Sequence, residues 1–251
     1  LELAEGVQPG DVRSYEVSIG PYKGAPAEDC SYLLERLCQW LSEPAFDGPP
    51  EMSLAFATIK AVLAHLYLAW IHPFGDGNGR VARLVEFQIL ISSGFPAPAA
   101  HLLSNHYNLT RNEYYRRLEE ARIEGGVAFL AYAVQGLLDG LREQLDYIRA
   151  QQWEVSWRDY VHEVFRDKNS GASRRRRDLV LDLSLQPEPT PVGAISTLTA
   201  RTAAAYANRT SRTVSRDVAE LVRMGLLVRE SGMVRACRER ILAFLPFKSQ
   251  Q

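Results

Sequence analysis

From Ser31 to about Phe165, apolar residues recur at i, i+3 and i+4, the period of helices that bury one face. The segments SYLLERLCQWL (31–41), VARLVEFQILISSG (81–94), RNEYYRRLEEAR (111–122) and FLAYAVQGLLDGLREQLDYI (129–148) follow it. Gly94, ahead of FPAP, predicts a helix stop. LAFATIKAVLAHLYLAWI (54–71) is different, being apolar on nearly every side and interrupted only by Lys60 and His65. That pattern predicts a helix buried in a soluble core rather than a membrane span. Ahead of these helices, YEVSIGPYKGAP (15–26) alternates and predicts a small β-hairpin ended by Pro26.

The pattern changes near residue 171. SRRRRD (173–178) is a basic run and LSLQPEPTPVG (183–193) is a proline-rich linker. Beyond it, 195–210 reads as a helix and turn, and 211–225 as a second helix with Ser211 or its neighbour as N-cap. LLVRE and MVRAC then flank a Ser-Gly turn as two short strands. Two helices followed by a hairpin predict a winged helix. The expected fold is mainly α: a helical core with a hairpin flap over 1–150, a helical connector and linker over 151–190, and a winged helix-turn-helix domain over 191–251.

Composition narrows this only a little. At 251 residues the chain has room for one large domain, or for one medium and one small. A net charge of −1 leaves any nucleic-acid partner to be decided by local charge. The three cysteines, Cys30, Cys38 and Cys237, have no metal-ligand spacing and read as reduced thiols in a cytoplasmic protein. The chain begins with Leu, so its natural start is expected upstream.

The candidate chemistry lies in IHPFGDGNGRVAR (71–83). Gly75, Gly77 and Gly79 alternate, which frees the backbone for turns and close approach to a ligand. A helix starts directly afterwards, so loop amides and helix N-terminus converge on an anion site. Asn78 adds a side-chain donor, and Arg80 and Arg83 share one face, a set that suits a polyphosphate. Asp76 is out of place in so cationic a loop unless a cation such as Mg²⁺ bridges it to phosphate. His72, with an ordinary pKa of roughly 6.5, is placed to take a proton from an incoming hydroxyl. The combination predicts attack by a hydroxyl on a nucleotide phosphate.

HPFGDGNGRVAR (72–83) resembles the signature of the Fic domain, HPFx[D/E]GN[G/K]RxxR, at every specified position. The resemblance extends over roughly residues 10–140, including YEVSIG and LLSNHYNLTRNEYYRRL (102–118). It implies transfer of AMP from ATP to a Ser, Thr or Tyr hydroxyl of a target protein or of the chain itself. By that resemblance His72 is the general base, Asp76 the Mg²⁺ ligand, and Gly77, Asn78, Gly79 and Arg80 the anion hole. Arg83 holds the γ-phosphate, and Tyr114 and Tyr115 lie near the adenosine. The flap residues Ile19, Gly20, Pro21 and Tyr22 cover the nucleotide and pair with a target strand. Gly79 before Arg80, where Doc-type phosphotransferases carry lysine, favours AMP transfer over phosphate transfer. Arg122 stands where some members carry a nucleotide-contacting asparagine, and no role is carried over to it.

Many relatives restrain themselves with an inhibitory helix bearing [S/T]xxxE[G/N]. LELAEG (1–6) has Leu at the first position and does not match. Restraint by an upstream helix, by an inhibitory partner, or none at all therefore stay open. So does a homodimer. Arg201, Arg209, Arg212, Arg216 and Arg223 stud the second region, with more at 174–177, which leaves DNA as a partner alongside a plain solvated face. Two alternatives to AMP transfer remain: a DNA-binding regulator whose core senses nucleotide, and an enzyme that removes AMP. No membrane partner is expected.

Overall fold

The structure, a computed structural model, describes residues 10–19 and 22–244. Gly20, Pro21 and the segment LELAEG lie outside the described residues. By its contacts the chain divides into two compact units, Leu1–Leu145 and Asp146–Gln251.

The first unit opens with the expected hairpin. β1 (Ser18–Ile19) pairs antiparallel with β2 (Tyr22–Lys23), with Ser18 opposite Lys23 and Ile19 opposite Tyr22. Helices follow: α1 (Cys30–Leu41), α2 (Ser53–Ile71), α3 (Asn78–Ser92), α4 (Ala97–Ala100), α5 (Leu102–Leu109) and α6 (Arg111–Glu124). The central helix α2 earns its all-round apolarity, because two separate clusters draw on it. One side gives Ala61, Val62 and Leu66 to a cluster with Leu90, Leu103, Tyr107, Tyr114 and Phe129. Another gives Leu68 and Ile71 to a cluster with Cys30, Leu37 and Ala82. Among the described residues one helix, Pro50–Ile71, is apolar and long enough to cross a membrane, and half of its apolar window is buried in the fold. Packing on more than one side accounts for that composition.

Sequence and structure differ most at element ends. The glycine loop is shorter than its spelling suggests, since Gly79 and Arg80 already stand in the first turn of α3. Gly94 does end that helix, just past the Ser93 cap at φ +95°. α7 (Val127–Val164) runs 38 residues, far beyond the expected 129–148, because no proline interrupts it and its glycines are tolerated.

In the second unit α8 (Gly171–Ser184) is followed by β3 (Thr190–Pro191), α9 (Ala200–Tyr206), α10 (Ser211–Arg223), β4 (Leu227–Glu230) and β5 (Met233–Ala236). The strands form one antiparallel sheet in the order β3-β5-β4. Its hairpin turns at Ser231 and Gly232, both at positive φ, the conformation of a tight two-residue loop. Residues 151–190, read from the sequence as connector and linker, give Trp157, Val161, Phe165, Leu179, Val180 and Leu183 to this unit's core. The basic run is likewise structural in part. Asp217 on α10 is fully buried and receives Arg175 and Arg176, each at 2.8 Å, and the Tyr206 hydroxyl at 3.2 Å. Asp182 on α8 similarly takes Arg201 and the Thr199 hydroxyl.

Breaking a buried ion pair strands the remaining charges. Asp217→Ala is expected to cost the second unit about 3–5 kcal/mol. Hydrogen exchange should show lost protection across α8 and α10 while α2 and α3 keep theirs. Unchanged protection in α8 and α10 would contradict this role for Asp217.

Candidate active site

The site is built on the turn that joins α2 to α3. His72 caps α2 in the left-handed region, at φ +50° and ψ +56°, and its N–H still reaches the carbonyl of Leu68 at 3.0 Å. A non-glycine residue adopts that conformation only under tertiary constraint. The constraint is Arg13, a buried residue that the motif does not include and that sequence reasoning missed. Its Nε donates to the His72 carbonyl at 2.7 Å and its Nη1 to the Tyr15 carbonyl at 2.7 Å. Its Nη2 donates to the carbonyl of Ala25 and lies 3.4 Å from that of Ile71. Its backbone N–H donates to Pro73 at 2.9 Å. One guanidinium thus ties both ends of the flap segment to the turn bearing His72. Gly24 lets that segment approach, since a Cβ there would sit 3.3 Å from the Cβ of His72 and 3.1 Å from Arg13.

The His72 ring is half-buried, with Nδ1 at 3.3 Å from the carbonyl oxygen of Ala69. A carbonyl only accepts, so in the neutral ring Nδ1 carries the proton and Nε2 the lone pair. Burial lowers the pKa of His72, and the charge of Arg13 pushes in the same direction against the Ala69 hydrogen bond. The ring is therefore held as a neutral base near pH 7.

After His72 the chain loops back on itself through Asn78. The Asn78 side-chain oxygen accepts from the Phe74 N–H at 2.9 Å, and its amide donates to the Phe74 carbonyl at 2.7 Å. Both ends of this buried side chain are thus engaged, so Asn78 shapes the loop. Gly77 stands at φ +84° as the residue before α3. Asp76 is exposed, accepting the Gly77 N–H at 2.5 Å and pairing with Arg80 at 2.9 Å. Arg83 lies one turn further along α3, beside Gly79, whose Cβ would come within 3.6 Å of its Nη1. Asp76, Gly77, Gly79, Arg80 and Arg83 are therefore brought together at one helix N-terminus, a combination that can hold an anion.

The two tyrosines are not equivalent. Tyr114 is buried, its hydroxyl 2.9 Å from Nε2 of His65, and burial raises its pKa despite the charge of nearby Arg83. Tyr115 is half-exposed, with Arg111 over its ring at 5.8 Å. Adjacent helix positions face about 100° apart, and here Tyr114 faces the core while Tyr115 does not. Further along α3, Glu86 is buried; the Tyr107 hydroxyl donates to it at 2.8 Å, and Nδ1 of His65 lies 3.4 Å away. Among the flap residues, the backbones of Ile19 and Tyr22 pair with each other, and Gly20 and Pro21 lie outside the described residues. Among the described residues no group of three or more His, Cys, Asp or Glu could hold a metal ion, so Asp76 would have to do so alone with ligand and water oxygens.

Arg13→Ala would leave buried carbonyls without a donor and release the His72 turn. We expect the first unit to lose about 2–4 kcal/mol in urea unfolding. The His72 pKa should rise, because a cation and part of the burial go together. Wild-type stability and an unmoved His72 pKa would refute this role for Arg13.

Residues 2–90 match the Fic/DOC family. The chain is 33% identical over 139 residues to the protein adenylyltransferase fic-1 of Caenorhabditis briggsae, covering 54% of this chain and 24% of the relative. The fic-1 protein of Caenorhabditis elegans is 32% identical with the same coverage. The protein adenylyltransferase Fic of Nematostella vectensis is 30% identical, covering 55% of this chain and 30% of the relative. The chain thus spans only about a quarter to a third of the length of these relatives. A crystal structure of a Fic family protein from Desulfovibrio desulfuricans G20 is similar at a TM-score of 0.44 and 19% identity, over 96% of this chain and 64% of that one, too loosely to assign residues. The site of this chain, His72 through Arg83, thus lies within the segment that matches the Fic/DOC family.

Proposed function

We propose that the protein transfers AMP from ATP to a Ser, Thr or Tyr hydroxyl of a protein. The observation that carries this reading is the placement of a neutral, half-buried imidazole one turn of chain away from a helix N-terminus with two arginines. The similarity to proteins named adenylyltransferases supports it at the level of reaction type.

In the proposed step, the lone pair on His72 Nε2 takes the proton of the attacking hydroxyl. The hydroxyl oxygen bonds to the α-phosphorus, the bond from that phosphorus to the bridging oxygen breaks, and pyrophosphate leaves with the bonding electrons. The N–H groups at the start of α3 and the Arg80 guanidinium hold phosphate oxygens, and Arg83 reaches the terminal phosphate. Arg80 is paired with Asp76 here, so phosphate would compete with that carboxylate for it. Mg²⁺, if bound, would neutralise phosphate charge, and Asp76, exposed beside the same arginine, is the residue that would hold it. The flap strand ending at Ile19 would dock a target segment by strand addition. Tyr115, the exposed member of its pair, is the better placed to meet adenosine.

The second unit is read as a winged helix. Its order of helix, strand, two helices and hairpin, with the short strand closing the sheet, supports that reading.

The test compares α-³²P- with γ-³²P-labelled ATP in the presence of Mg²⁺. Protein-bound label is expected from the α-phosphate only, falling at least about 100-fold in His72→Ala, with ATP binding retained. Label from the γ-phosphate, or α-label that survives the substitution, would overturn the proposal.

A further inference from the structure

The arginines of the second unit look alike in sequence, yet the fold pairs some with carboxylates and leaves others, three of them around the start of α10, without an ion-pair partner among the described residues. Arg175 and Arg176 are held by the buried Asp217, Arg201 by Asp182, Arg177 by Asp178, Arg223 by Glu220 and Arg235 by Glu239. Each of those six has a carboxylate partner, and Arg175 and Arg176 share one. Arg209, in the turn before α10, and Arg212 and Arg216 on its first two turns are exposed, and among the described residues none has an ion-pair partner.

The helix is arranged to keep that face cationic. Its two acids lie elsewhere: Asp217 is buried and bonded to arginines of α8, and Glu220 accepts from both Nε and Nη2 of Arg223. Arg212 and Arg216 are four residues apart and therefore share one face. Around them the exposed residues include Asn208, Thr210, Ser211 and Ser215, all able to donate hydrogen bonds, and the small Ala207 and Ala219. The opposite side of the helix, through Val214, Val218 and Leu221, is anchored in the core. A rigid helix therefore presents a row of unpaired guanidinium groups among hydroxyls, with no large apolar side chain among them.

We infer that this face, Arg209, Arg212 and Arg216 with Ser211 and Ser215, binds duplex DNA. The charge is complementary to a phosphate backbone, and an α-helix fits the roughly 12 Å width of the major groove. Two other partners fit less well. The major groove of an RNA duplex is too deep and narrow to admit a helix. A protein interface wants an apolar or aromatic centre, and the exposed apolar residue of α10, Val222, lies at its far end. The β4–β5 hairpin adds little net charge, since Arg229 is followed directly by Glu230, both exposed. This inference is independent of the AMP-transfer reading.

The test uses the full chain and a fluorescent 30-base-pair duplex pool of random sequence, titrated by anisotropy at several salt concentrations. Three phosphate contacts predict a slope of log affinity against log salt of about −2.7, or a roughly 40-fold loss between 50 and 200 mM salt. The double variant Arg212→Ala, Arg216→Ala should lower affinity at least about 10-fold and flatten the slope by about 1.8. A control, Arg142→Ala with Arg149→Ala, removes the same charge from α7 and should match wild type; circular dichroism confirms that both variants fold. Three results would overturn the inference: no duplex binding at 50 mM salt, an equal loss in the control, or tighter binding of single-stranded RNA than of the duplex.

Discussion

Everything at the site depends on one left-handed residue. His72 ends α2 at positive φ, and that single conformation turns the chain out of α2 into the loop that leads to α3. The conformation is costly for a side chain with a Cβ and persists because Arg13 surrounds the turn with hydrogen bonds to main-chain carbonyls. The Arg13 guanidinium donates to main-chain carbonyls around the turn. Its positive charge also reaches the imidazole, adding to burial in keeping the ring neutral. Geometry and protonation state come from the same residue.

Asn78 completes that logic on the other side of the loop. With both polar ends fixed to Phe74, it closes the loop without drawing on the N–H groups at the start of α3. Asp76 and Arg80 are left exposed and paired with each other, the most replaceable contact of the site. The rigid parts thus set the shape, and the exposed pair is the part that a ligand can rearrange. The second unit uses the same division, where buried Asp182 and Asp217 immobilise some arginines, and those at the start of α10 have no ion-pair partner among the described residues.

Much of this was legible in the sequence because it is local. The spacing of HPFGDGNGRVAR placed base, carboxylate, glycines and arginines within one turn of chain, and the hairpin and both final helices followed from alternation and period. What was not legible depends on distant contacts. Arg13 lies 59 residues from His72, and nothing in its neighbourhood of the chain marks it as the support of a turn. The bonds of Asn78 to the main chain of Phe74, which close the loop, are likewise not marked in the sequence. Tyr114 and Tyr115 cannot be told apart by period alone, since burial decides which bonds to His65. β3, two residues ending in proline, is a strand only because β5 lies beside it.

The most direct test of this account is an NMR titration of the His72 imidazole in the protein with ¹⁵N-labelled histidine, assigned by His72→Gln. The account predicts a neutral ring at pH 7 with its proton on Nδ1 and a titration midpoint below the ordinary 6.5. A ring that carries its proton on Nε2, or that remains cationic at pH 7 with a midpoint above 6.5, would contradict it.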